Sequence, residues 1–299
     1  MLFCYLMEKI FGNFLSEKFR ERTERIAIGI AIFSFLVHLL VIFLVNKDII
    51  HINSKLTASP ISAVYTPFSF ILIYEVFLLV FYLPRSISSY IGKQYEIITL
   101  IVIRRIFKDI GNIEMSSNWF RLEGDLQFTY DMLTALILFF LIQKFYQKLE
   151  RPGGEDTTQT PEGQARINKF IKLKKSIAAI LIPVFIGLAI YSFSSWIITS
   201  TQDHWNHITT FKNINNIFFE DFFMILIIID VILLLFSLFY FDSFHIIIRN
   251  SGFVISTILI KLSFSAEGII NNALILGAVV FGYLILLIHN SYKKNTALA

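Results

Sequence analysis

Residues 219–241 read FEDFFMILIIIDVILLLFSLFYF, and from Phe222 to Phe241 the only charge is Asp230. A helix needs about 20 apolar residues to cross the hydrocarbon core of a bilayer. This stretch supplies them around one carboxylate. It is not alone. Similar runs lie at about 26–45, 67–83, 91–110, 129–142 (continuing as a helix to Lys148), 176–197, 244–264 and 269–289. Hydrophobic residues make up 56% of the 299, charged residues 16%, and the mean hydropathy is +0.67. Folding alone cannot hide that much apolar surface from water. The expectation is an all-α integral membrane protein of about eight transmembrane helices.

The N-terminal stretch mixes large apolar side chains (Leu2, Phe3, Leu6, Ile10, Phe11, Phe14) with Glu17, Lys18, Arg20, Arg22 and Arg25. Residues 1–25 therefore read as an amphipathic helix lying in the membrane interface. Glu8 and Lys9 interrupt its apolar part, unlike a secretory signal. Cys4 is the single cysteine, which excludes an intrachain disulfide and a thiolate metal site. The formal net charge of +4 is too small to argue for nucleic acid.

Basic residues orient the spans. Five Lys or Arg fall in the first 25 residues and eight fall between Lys144 and Lys175. Both clusters belong on the cytoplasmic side under the positive-inside rule, which requires an even number of crossings between them. The weak run at 91–110 must then cross, although Arg104, Arg105 and Lys108 lie towards its outer end. Both termini become cytoplasmic, and the plasma (inner) membrane of a prokaryote is the expected location.

Residues 151–164, RPGGEDTTQTPEGQ, have nothing to bury and mark a linker at the midpoint of the chain. The expected organisation is a first four-span unit over 26–148, a cytoplasmic linker over 149–173 and a second four-span unit over 174–292. The halves align. Residues 74–83, YEVFLLVFYL, match 229–238, IDVILLLFSL, at five of ten positions, with Glu75 on Asp230. Residues 97–113, IITLIVIRRIFKDIGNI, match 254–270, VISTILIKLSFSAEGII, at six of seventeen, with Arg104 on Lys261 and Gly111 on Gly268. Matches of Ile and Leu come cheaply; an acid, a base and a glycine in order do not. Four spans per unit keep both copies in one orientation, so the repeats should be parallel.

A charge at mid-bilayer costs on the order of 3 kcal/mol or more and normally finds a partner. Depth along the spans pairs Glu75 with Arg104 or Arg105, and more loosely Asp230 with Lys261. Such pairs either staple neighbouring helices or line an ion or proton pathway. Tyr74, Thr99, Ser256, Thr257, Asn271 and Asn272 could complete a polar lining. Lys169, Lys172, Lys174 and Lys175 form a basic segment suited to anionic lipid or a partner protein. Arg249, Asp242 and His245 read as interfacial anchors, and Asp131 as an acid favoured at a helix start.

Catalytic signatures are missing: no HExxH, GxSxG or Walker A loop occurs. His38, His245 and His289 offer no pair at matched depth for haem, and the pair in Asp203-His204-Trp205-Asn206-His207 sits in an expected outer loop. No cofactor or metal is expected. The acid of Tyr74-Glu75, the run ITLIVIRRIF at 98–107 and a cleanly apolar fourth span give each half a resemblance to the four-span phosphate-starvation-inducible PsiE-like membrane proteins. That resemblance covers about 70–145 and, more faintly, 225–290. It implies a fold and no activity; Lys261 and the doubled length depart from it. Permeation of an ion or small solute leads the functional expectations. A non-catalytic scaffold or sensor subunit follows, with a lipid-active enzyme third. The bilayer, a membrane partner and a second copy of the chain are the expected partners.

Overall fold

The structure, a computed structural model, describes residues 16–49, 60–110, 123–149, 161–202, 207–240 and 244–296. Among these residues every regular element is helical: α1 Glu17–Asn46, a 3-10 turn Pro60–Val64, α2 Tyr65–Tyr82, α3 Ile87–Ile110, α4 Glu123–Lys148, α5 Pro161–Gln202, α6 His207–Tyr240, α7 Phe244–Phe264 and α8 Gly268–Thr296. Each apolar run of the sequence coincides with one of these helices, apart from Leu83, which caps α2, and Phe241, which lies outside the described residues. Five of them are long and apolar enough to cross a membrane: α1, α7, Leu126–Lys148 of α4, Asp221–Tyr240 of α6 and Gly268–Lys294 of α8.

Local chemistry sets the helix ends. Ser16 caps α1, its hydroxyl accepting from the Phe19 amide at 3.3 Å, with Glu17 in the first turn. Ser86 receives the Ser89 amide at 3.2 Å and starts α3 after the tight connection at Pro84. α5 opens on Pro161, whose missing N–H costs nothing in a first turn. Gly268 enters α8 at φ +61°, a backbone state that other residues reach only with strain.

Two boundaries differ from the sequence expectation. Residues 17–25 are not a separate interfacial helix but the first turns of α1, because no glycine or proline separates them from the apolar run; residues 1–15 lie outside the described set. The expected linker over 149–173 is shorter, since 161–173 already belong to α5 and Phe170 is buried. Residues 150–160 are not described.

The helices pack with their polar faces inward. In α4, Asp131, Thr134, Ala135, Leu138 and Phe145 are buried, while Leu133, Leu136, Phe139 and Phe140 are exposed. The spacing is helical, but the outward face is the greasier one, which suits lipid and not water. Consecutive helices pack together within α1–α4 and within α5–α8, and the halves meet through α4 with α8, α3 with α7 and α8, and α2 with α5.

Tyr95 of α3 marks the centre of that junction. Its hydroxyl lies 2.8 Å from the Ser256 hydroxyl on α7, and Ser256 donates to the Ala278 carbonyl on α8 at 2.7 Å. Ser256 has one proton and spends it on the carbonyl, so Tyr95 is the donor to Ser256. A Cβ on Gly282 would overlap the Tyr95 hydroxyl, so only glycine lets α8 approach this closely. Gly282→Ala should destabilise the protein by about 1–3 kcal/mol through overpacking, read as a lower melting midpoint in detergent. Tyr95→Phe combined with Gly282→Ala should recover part of that loss.

Candidate functional site

Asp230 sits midway along the apolar span Asp221–Tyr240 of α6 and is 6% exposed. Its partners come from α3 and α7. Gln94 donates its amide to Asp230 at 3.2 Å, and Thr257 donates to the Gln94 carbonyl at 2.8 Å. Tyr90, one helical turn before Gln94, faces the same carboxylate. A void of about 20 Å³ lies here, lined by Tyr90, Asp230, Asn250 and apolar neighbours. The Tyr90 hydroxyl is buried without a hydrogen-bond partner. A water needs about 10–15 Å³ on this measure and two or more polar contacts; the void meets both conditions.

A larger cavity of about 160 Å³ adjoins the void, sharing Ile87 and Asn250 with it. It opens where the α2–α3 connection, the start of α5, the start of α7 and the end of α8 converge. Arg85, Lys174, Arg249, His289 and Lys293 line it, and none of the described lining residues is acidic. Lys174 donates to the Arg85 carbonyl and lies 5.3 Å from the Phe170 ring centroid. Arg249 donates to Asn250 and to His289 Nε2, both at 3.3 Å. An arginine only donates, so His289 Nε2 is the bare nitrogen and Nδ1 carries the proton, given to the His245 carbonyl at 3.1 Å. Asn250 in turn donates to Ser237 on α6 at 2.8 Å.

At the opposite end of the bundle, Arg105 of α3 meets Asp131 of α4. Arg105 Nε and Nη2 both donate to the carboxylate, the second at 2.8 Å, and Asp131 is fully buried. Asn271 and Asn272 of α8 accept from the same guanidinium at 2.8 and 2.5 Å. Asn272 and Gln127 return donors to Asp131 at 2.6 and 2.7 Å.

These arrangements correct the expected pairs. Glu75 pairs with neither Arg104 nor Arg105; it faces Lys93, Glu96 and Glu24. The α2–α3 connection at residues 83–86 decides this, because it sets residue 75 level with residue 94 across the hairpin. Arg104 is then roughly 15 Å too far along the axis. Lys261 likewise makes no ion pair with Asp230. The α6–α7 connection sets residue 230 level with about residue 254, and Lys261 lies roughly 10 Å beyond. Of the expected basic contact segment, Lys169, Lys172 and Lys175 are exposed, whereas Lys174 is turned inward and lines the cavity. Arg104 is buried in α3.

Several site residues carried no recognised signal. Asp131, an acid near a helix start in the sequence, is the buried counter-ion of Arg105. Arg249, placed like an interfacial anchor in the sequence, is part of a cavity wall. Gln94, an amide inside an apolar stretch, was the available clue to a partner for Asp230. His245 and His289 do stand at matched depth, ring centroids 5.1 Å apart, but both nitrogens of His289 already have partners. Among the described residues no group of three or more His, Cys, Asp or Glu could hold a metal. Residues 203–206 of the outer His pair's loop lie outside the described set.

Comparison of the chain with protein-family models, with curated proteins and with solved structures gives no match.

Removing one partner of a buried ion pair leaves the other charge uncompensated, at about 3–5 kcal/mol. Asp131→Ala should therefore lower the melting midpoint sharply. Arg105→Met with Asp131→Leu should cost less than Asp131→Ala alone, which a double-mutant comparison by thermal melting in detergent would measure.

Proposed function

We propose that the chain is a multi-pass membrane protein that conducts an ion or small solute through its helix bundle. The single observation that carries this reading is the position of Asp230. Its carboxylate lines a water-sized void that adjoins a much larger cavity at one end of the bundle. A carboxylate used only as a staple needs no such opening, whereas a pathway needs a polar route into the apolar interior. Asn250, Tyr90, Asp230, Gln94 and Thr257 form that route along one line of α3, α6 and α7. Gln94 and Thr257 carry the polar line on beyond the void, and conduction along it requires the α3–α4–α8 end of the bundle to part.

The architecture that goes with this function has eight spans in two parallel four-helix units. The packing of α4 on α8 and of α3 on α7, equivalent helices of the two halves, supports an axis along the membrane normal. The end bearing Arg20, Arg85, Lys148, Lys174 and Lys293 is taken as cytoplasmic. Both termini then lie on that side of a plasma (inner) membrane. A second reading, a scaffold or sensor subunit, is favoured by the exposed Lys169, Lys172 and Lys175 on the same end, which suit anionic lipid or a partner.

Flux across proteoliposomes separates the two. Wild-type protein should carry proton or ion flux that Asp230→Asn abolishes, while Glu75→Gln, away from the cavity, retains most of it. Absence of flux in the wild type, with Asp230→Asn changing only the melting midpoint, would favour the scaffold.

A further inference from the structure

Asp230 has no counter-ion among the described residues. The groups that act on it are hydrogen-bonding ones: Gln94, Thr257 and Tyr90. Each element packed around it gives the same answer. α3 presents Tyr90 and Gln94, α7 presents Thr257 and Asn250, and the end of α2 contributes Leu83. α5 packs on α6, with the Phe185 and Phe222 ring centroids 4.8 Å apart, and its buried residues Ala178, Leu181 and Ile182 are apolar. The cations Arg85, Lys174, Arg249 and Lys293 line the larger cavity, and none of them lines the void. Arg249, next to Asn250 in the chain, is turned to Asn250 and His289. An ionised carboxylate alone in the middle of an apolar span is costly. A metal cation or a proton must offset that charge.

The void decides between them. An alkali cation gives up its hydration shell only for a ring of oxygens. The polar lining here is Tyr90, Asp230 and Asn250. The Asn250 carbonyl already accepts from Arg249, and the Gln94 carbonyl from Thr257. Gln94 turns its amide N–H to Asp230, a donor that repels a metal ion. The carboxylate and the Tyr90 hydroxyl remain, too few oxygens for a bare cation. The volume of about 20 Å³ holds one water and no hydrated cation. A proton needs the carboxylate alone. We infer that Asp230 binds and releases a proton, exchanged with the larger cavity through a water that Tyr90 holds in the void. A proton arriving from the cavity joins that water, which passes one on to Asp230. The O–H bond formed at the carboxylate balances the one broken on the water, and release runs backwards. The Tyr90 hydroxyl both donates and accepts, so it can hold the water in either state. That the proton is also the ion conducted rests on the permeation reading; the proton site itself does not.

The test uses the full-length chain, in detergent for infrared spectra and in proteoliposomes for flux. Difference spectra between low and high pH read the carbonyl stretch of a protonated carboxyl. The wild type should show a band that fades as pH rises and that shifts when its aspartates are isotope-labelled. Asp230→Asn should lack the band, and Glu75→Gln should keep it. Labelling of the wild type covers the case in which Asp230→Asn fails to fold. Tyr90→Phe should displace the band and slow proton flux about tenfold or more, the usual scale for a group that assists proton transfer. Proton flux, followed with a pH-sensitive dye, should be the same in Na+, in K+ and in an impermeant organic cation. The inference is overturned if no aspartate band titrates, or if Tyr90→Phe leaves the band in place. It is equally overturned if Na+ or K+ crosses in an Asp230-dependent way while protons do not, an outcome that leaves permeation standing. A titrating Asp230 band without flux of any ion supports the proton site and ends the permeation reading.

Discussion

Asp131 accepts from Arg105, Gln127 and Asn272, and its carboxylate has no exposed surface at all. In hydrocarbon no water can take the place of any of these donors, so the pair can exist only while α3, α4 and α8 stay in register. That requirement propagates. Arg105 sets the rotation of α3, and α3 in turn presents Gln94, Tyr95 and Tyr90 towards α6, α7 and α8. The Tyr95–Ser256–Ala278 contact and the Asp230–Gln94–Thr257 contact lie along the same helix. A shift of α3 by one residue would detach all three sets of partners together.

The rest of the packing follows from where polar groups are allowed. α1 shows lipid-facing Phe33, Leu36, Leu40 and Phe43, with little of its surface buried. Helices α3 and α7 run through the middle and carry most of the buried polar side chains. Close approach there depends on small residues as much as on polar ones: Gly282 admits the Tyr95 ring, Gly92 lies against Tyr146, and Gly252 lies against Ile285. Small residues at helix contacts are the usual means of tight packing where the hydrophobic effect between helices is absent.

The two ends of the bundle differ in chemistry. At the α3–α4–α8 end Arg105 and Asp131 neutralise each other within a buried hydrogen-bond network. At the other end cations gather around open volume, and Asp230 lies beyond Asn250 from them. Glu75 and Asp230 align in the sequence, and Asp230 borders a void. Glu75 instead faces Lys93 and Glu96, with Tyr146 donating to Glu96 at 2.5 Å.

Apolar run length, read along one dimension, located the apolar part of each described α-helix, because crossing a bilayer takes about 20 apolar residues at the helical rise per residue. Asp230 stood out for the same local reason, as a charge inside such a run. The partners of that charge were not legible. Depth counted from each span's own ends paired Glu75 with Arg104 and Asp230 with Lys261. The α2–α3 and α6–α7 connections put those residues at different levels, and rotation turned Asp230 towards Gln94. Lys174 looked like its neighbours Lys172 and Lys175 until helix phase pointed it inward. Which helix a buried polar group meets depends on rotation and on contacts between residues more than a hundred positions apart, as with Gln94 and Asp230. No local pattern encodes that, so the helices belonged to the sequence and the cavities to the tertiary structure alone.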